Sequence, residues 1–174
     1  MGKKEACSNC GSKNVGIARG EHRFFESGLR NVILLNAEIS TCKDCGEKAV
    51  SIPNPNQLLK LIGEQIILNP SRLSGEEIRF LRKNIYLKTQ EFSQVLGVHR
   101  GTISRWENGH SKPTASEDRL IRMVYAQYAK VSKGVAESLK AMLRKRISEK
   151  VAKYDLACNV YPEITCQRSL PQLA

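Results

Sequence analysis

Aromatic residues are scarce in this chain. They make up 6% of its 174 residues, with a single Trp, and hydrophobic residues account for 41%. Two modest cores are expected rather than one large one. No run of eighteen apolar residues exists, and the opening MGKKEACSNCG lacks the apolar centre of a signal peptide. A membrane span and secretion are therefore not expected, and a cytoplasmic location is. Histidines number only three. His22 lies in a polar stretch with Glu21 and Glu26, and His110 lies in a turn; both read as ordinary polar residues. No carboxylate or imidazole group is placed to act on a metal-bound water, so the sequence does not read as an enzyme.

Charge is present in excess and is unevenly distributed. The formal net charge is +11 and the pI near 9.6. Residues 1–50 carry 8 Lys+Arg against 6 Asp+Glu, whereas residues 71–150 carry 17 against 8. Nearly all of the excess thus lies on the second segment, which points to a polyanionic partner there.

Composition divides the chain into five parts. Residues 1–50 contain four cysteines around a β-rich stretch in which HRFF and NVILL read as strands and Ser27-Gly28 as a turn. SIPNPNQ marks a boundary. Residues 51–70 form a linker helix, with Leu58, Leu59, Ile62, Ile66 and Ile67 at helical spacing and Asn54-Pro55 as its start signal. Residues 71–127 read as short helices with tight connections, opened by the capping box Ser74-Gly-Glu-Glu77. Residues 128–154 read as a longer basic helix, and 155–174 as a weakly patterned tail.

The cysteines at the N-terminal end form two matching turns, Cys7-Ser-Asn-Cys10-Gly and Cys42-Lys-Asp-Cys45-Gly. Two thiolates three residues apart reach one metal from a single turn, and a hairpin between the pairs brings all four together. A glycine after each second cysteine permits positive φ, so that backbone N–H groups turn toward the sulfurs. Cys7, Cys10, Cys42 and Cys45 are therefore the expected ligands of one structural Zn²⁺, with iron as the alternative for the same donors. Four thiolates close the coordination sphere and leave no open position for catalysis. Cys158 and Cys166 have no partner pattern and read as free thiols.

Within the basic segment, Thr89 caps a helix whose Phe92, Val95 and Leu96 share one apolar face. Gly97 ends it, Val98 plugs the turn, and a second helix runs from about His99 to Glu107 with Ile103 and Trp106 inward. Two short helices joined by a Gly-containing turn are a helix-turn-helix, whose second helix enters the major groove. On that helix Arg100, Gly101, Thr102, Ser104, Arg105 and Asn108 are the DNA-binding candidates. Arg100 and Arg105 are long enough to reach guanine O6 and N7, each adding about 1–3 kcal/mol of discrimination. Lys88, Thr89, Lys112 and Arg119 are candidates for phosphate contacts.

The run TQEFSQVLGVHRGTISRWENG resembles the lambda-repressor-like (XRE) helix-turn-helix family. The resemblance implies a DNA contact at Gln90 and base readout by Arg100, Gly101 and Arg105. It implies a phosphate contact or a helix cap at His99, and a structural ion pair between Lys83 and Glu107. Together with CxxCG…CxxCGE and the β-rich segment between, residues 5 to 127 resemble the MqsA antitoxin family, whose N-terminal part is a YgiT-type zinc finger. The implied fold class is α+β, a small β-rich Cys₄ zinc domain followed by an all-α helix-turn-helix domain. The implied function is an autorepressor that dimerises on a palindromic double-stranded operator and docks a toxin through its zinc domain. The alternative is a stand-alone transcription factor with a purely structural zinc domain. Gly101 stands where that family has a base-reading Asn, which implies a different operator. The linker helix, the basic extension from Ala129 to Tyr154 and the tail are longer than a minimal antitoxin needs.

Overall fold

Val32–Cys42 is the long strand, β2, on which the sheet of this computed structural model is built; residues 6–145 and 147–169 are described. Strand β1 (Val15–Arg23) pairs antiparallel along its full length, from Val15 opposite Cys42 to Arg23 opposite Ile33. The ladder slips between Gly20 and His22, where β2 carries the extra residue. Asn36 sits there at φ 56 and its Nδ2 donates to the Tyr161 carbonyl at 2.8 Å. This bulge divides the other edge of β2 in two. Beyond it, Glu38–Thr41 pair with β3 (Lys48–Ser51); before it, Val32–Leu35 run parallel to β4 (Asp155–Asn159). Strand β5 (Thr165–Ser169) completes the sheet against β4.

The segment 155–169 is therefore not a weakly patterned tail, and residues 170–174 of the expected tail lie outside the described ones. It alternates Leu156, Cys158 and Val160 into the core, each fully buried. Nor are its cysteines free: Cys158 and Cys166 face each other across the ladder and form a disulfide. Opposed positions on neighbouring strands bring the two Cβ atoms within bonding reach, which an eight-residue spacing alone does not reveal.

Helix α1 (Pro55–Ile67) is capped by Asn54, whose side chain accepts from the Gln57 N–H. Its Leu58, Ile62, Ile66 and Ile67 are fully buried. It packs on β4 and β5 as well as on the helices that follow, so it is shared core rather than a linker. Those helices are α2 (Gly75–Asn84), α3 (Thr89–Leu96), α4 (Arg100–Glu107) and α5 (Ala115–Tyr128). One continuous cluster runs from Leu29, Val32 and Leu34 of the β region through α1 to Phe92, Ile103 and Tyr125. Two independent cores were expected, and a single joined one is found. The C-terminal hairpin supplies the apolar surface that closes it.

The basic helix expected over 128–154 is shorter. Lys130, at φ 48, ends α5, and Ser132 caps α6 (Lys133–Leu143). The chain then runs beside residues 70–72, where the Ser148 N–H donates to the Pro70 carbonyl and the Arg72 N–H to the Ser148 carbonyl. At the centre, fully buried Arg122 bonds Asp118 at 2.6 Å and donates to the carbonyls of Ile66, Ile67, Asn69 and Ser71. A buried ion pair is tolerable when each remaining donor is used, and here the guanidinium caps the end of α1. Among the described residues no helix is long and apolar enough to cross a membrane.

Candidate metal centre and nucleic-acid interface

The two cysteine turns are built alike. The Gly11 N–H closes the first on the Cys7 carbonyl at 2.8 Å, and the Gly46 N–H closes the second on the Cys42 carbonyl at 3.0 Å. Gly11 and Gly46 adopt φ 72 and 76, the left-handed conformation that the spacing required. Because Val15 pairs with Cys42, the β1–β2 ladder sets one turn beside the other. Asp44 clasps them, accepting from Ser12 Oγ at 2.5 Å and Asn14 Nδ2 at 3.0 Å. Those two donors also hold its carboxyl below the usual carboxylate range.

All four sulfurs lie within 4.8 Å of one another, with Cys7 to Cys45 and Cys10 to Cys42 at 3.6 Å. A tetrahedral Zn²⁺ with bonds of about 2.3 Å needs sulfurs about 3.8 Å apart, so the cage fits the ion. The thiols also behave as a set that calls for a cation. N–H groups of Cys45 and then Asp44 pull Cys42 down to about 7. Cys10 gains an N–H from Ser12, yet the neighbouring sulfurs and burial push it up to about 12. Sulfurs this close cannot all ionise unless positive charge sits between them. A single structural zinc held by Cys7, Cys10, Cys42 and Cys45 meets that demand.

Most of the candidates in the helical half are exposed. Lys88, rather than Thr89, occupies the cap position of α3, and its backbone N–H donates to Glu91 Oε2 at 2.6 Å. Thr89 is therefore the first helical residue and Gln90, exposed, the second. Gly97 ends α3 at φ 67, and Val98 is half-buried in the turn. His99 caps α4, its Nδ1 accepting from the Gly101 N–H at 3.1 Å. Of the two roles considered for His99, the cap is the one the geometry displays. Ile103 and Trp106 are buried beneath.

On the opposite face Arg100, Gly101, Ser104 and Arg105 are exposed, with Thr102 half-buried. Asn108 is exposed too, but at the far end of α4 its Oδ1 accepts from Arg79 at 2.6 Å, which ties it to α2. Lys83 does not pair with Glu107. It is exposed, and Arg82 makes the bond instead, Nε to Oε1 at 2.6 Å, with Arg79 at 3.6 Å from the same carboxylate. The helical period held the signal. Ile78, Leu81, Arg82 and Ile85 share the buried face of α2, whereas position 83 points away from it.

The family described as "Antitoxin component of bacterial toxin-antitoxin system, MqsA" matches residues 5–130. YiaG of Escherichia coli (strain K12), described as an uncharacterized HTH-type transcriptional regulator, is 36% identical over 66 residues, covering 38% of this chain and 69% of its own. The proteins of the same name from E. coli O6:H1 and O157:H7 match to the same extent. No solved structure matches.

Proposed function

This chain belongs to the MqsA antitoxin family and is a DNA-binding regulator, and from that premise we propose that it is an autorepressor and not an enzyme. As a homodimer it grips two half-sites of a palindromic operator about one helical turn apart, because one short helix gives too little specific contact. Arg100 and Arg105 read base edges. His99, Gly101, Thr102 and Ser104 bring the start of α4 to the groove floor, and Gln90 at the start of α3 contacts the backbone. The observation that carries this reading is the division of α4, with Ile103 and Trp106 fully or almost fully buried and both arginines on the open face. The zinc domain docks a toxin.

The test is selection of bound duplexes from a random-sequence library, followed by affinity measurement on the enriched sequence. Arg105→Ala is expected to lose about ten- to a hundredfold in specific affinity while keeping its melting temperature and its binding to unrelated DNA. Unchanged affinity for the enriched duplex sinks the groove assignment.

A second reading has its own support: the zinc sheet shares its central strand with the C-terminal hairpin and its core with α1. A zinc domain so built in suits an architectural role in a stand-alone transcription factor. Capture of partners by the tagged full chain separates the two. A stoichiometric ribonuclease supports the toxin, and its absence supports the architectural role.

A further inference from the structure

Among the described residues, three other than glycine adopt positive φ: Asn36, Tyr86 and Lys130. Two of them are tied into the fold there. The Asn36 side chain holds the Tyr161 carbonyl, and the Lys130 carbonyl accepts from Lys60 Nζ at 3.0 Å. Tyr86 is different. It closes α2 in the position where a helix end favours glycine, its N–H donating to the Lys83 carbonyl at 3.0 Å and the Leu87 N–H to the Arg82 carbonyl at 3.2 Å. The corresponding residues after α3 and α4 are glycines, Gly97 and Gly109. A tyrosine in this conformation is strained, and burial does not compensate, since the residue is 82% exposed. Its hydroxyl makes no hydrogen bond among the described residues. Folding alone therefore gives no reason for a tyrosine here.

Its place in the fold gives one. Tyr86 lies two residues before the cap of α3, and in a helix-turn-helix that end of the first motif helix crosses the phosphate backbone. Exposed Lys83 and Lys88 flank it within the same turn, and Lys83 forms no ion pair among the described residues. We propose that Tyr86 is a DNA contact: its hydroxyl donates to a backbone phosphate and its ring lies on the adjoining sugar, with Lys83 and Lys88 as the cationic sides of the same clamp. The inference rests on the DNA-binding reading above and adds to it a contact outside the recognition helix.

The test uses the full-length chain and the short duplex enriched by selection, comparing Tyr86→Gly, Tyr86→Phe, Lys83→Ala and Arg105→Ala. Tyr86→Gly is expected to raise the melting temperature by about 2–4 °C as the strain is relieved. It should weaken binding about fivefold or more. Tyr86→Phe should keep the wild-type melting temperature and lose part of that affinity. Neither tyrosine variant should change the salt slope of binding, whereas Lys83→Ala should reduce it by about one phosphate contact. If Tyr86→Gly binds as tightly as the wild type while Arg105→Ala fails, the tyrosine contact is overturned and the groove assignment stands. If Arg105→Ala binds normally, it is the groove assignment that falls. A lower melting temperature for Tyr86→Gly overturns the strain argument itself.

Discussion

Arg82 of α2 grips Glu107 of α4 through two parallel hydrogen bonds, Nε to Oε1 at 2.6 Å and Nη2 to Oε2 at 3.0 Å. The same guanidinium donates through Nη1 to the Leu87 carbonyl at 2.9 Å. One side chain thus fixes α4 against α2 and holds the turn that leads into α3. Arg82→Ala leaves the Glu107 carboxylate buried with only Arg79 nearby. The expected cost is about 3 kcal/mol, the low end for a broken buried pair, read from denaturant unfolding. Lys83→Ala should stay within about 0.5 kcal/mol of wild type, as exposed substitutions do. The reverse ranking would return the pairing to Lys83.

Removal of zinc should unfold part of the sheet and spare the rest. Most of β1 is exposed and contributes little to the core, so the zinc-side end relies on the metal. The other end of β2 is held by β4, and its Val32 and Leu34 pack into the shared core. Chelation, followed by hydrogen exchange, should strip protection from residues 7–20 and 38–51 while β4 and the helices keep theirs. Loss of protection throughout the chain would mean that zinc supports the whole fold.

The Cys158–Cys166 disulfide closes a short loop in the hairpin that joins the zinc sheet to α1. A cross-link over so few residues is worth about 2.5 kcal/mol by the chain-entropy argument. Unfolding in a phosphine reductant should show that loss, and the double variant Cys158→Ser, Cys166→Ser should match the reduced wild type. Equal stability with and without reductant would show that the β4–β5 ladder holds the hairpin unaided.

Glu64 gives a pH dependence. It is 8% exposed, and burial pushes its carboxyl up against the opposing pull of Lys60. The unfolded chain has an ordinary Glu pKa of about 4.3, so folding takes up a proton in the window between that value and the raised one. Above the window the buried charge burdens the native state; stability from this group returns as pH falls through the folded-state pKa. Glu64→Gln should therefore raise the melting temperature at neutral pH, and its advantage should vanish near the unfolded pKa. A constant difference across a pH series of thermal melts would contradict this.

The metal site and the helix-turn-helix were legible in the sequence because their signals are local. Two CxxCG turns carry their own geometry, and the capping box of α2 and the glycine stops of α3 and α4 lie within a few residues of the helices they bound. The Trp106 and Ile103 face follows from the 3.6-residue period, and so does buried Arg82, whereas the family resemblance alone pointed to Lys83. Tyr86 carried no such signal, because sequence gives its residue type but not its φ.

What only the tertiary structure decided is how the pieces join. The pairing of β2 with β4 is parallel and links Asn31 to the Tyr154 carbonyl across 123 residues, a contact to which no local pattern points. Tyr154 in turn donates to Glu77, fastening the C-terminal segment to the first turn of α2. Short strands earn their place from partners distant in the chain, so 155–169 reads as weak until β2 lies beside it. The same pairing sets Cys158 opposite Cys166 and makes α1 the shared core of both halves. Residue types and their spacing determined the four-cysteine cluster and the helix-turn-helix; packing between distant segments decided that they belong to one body.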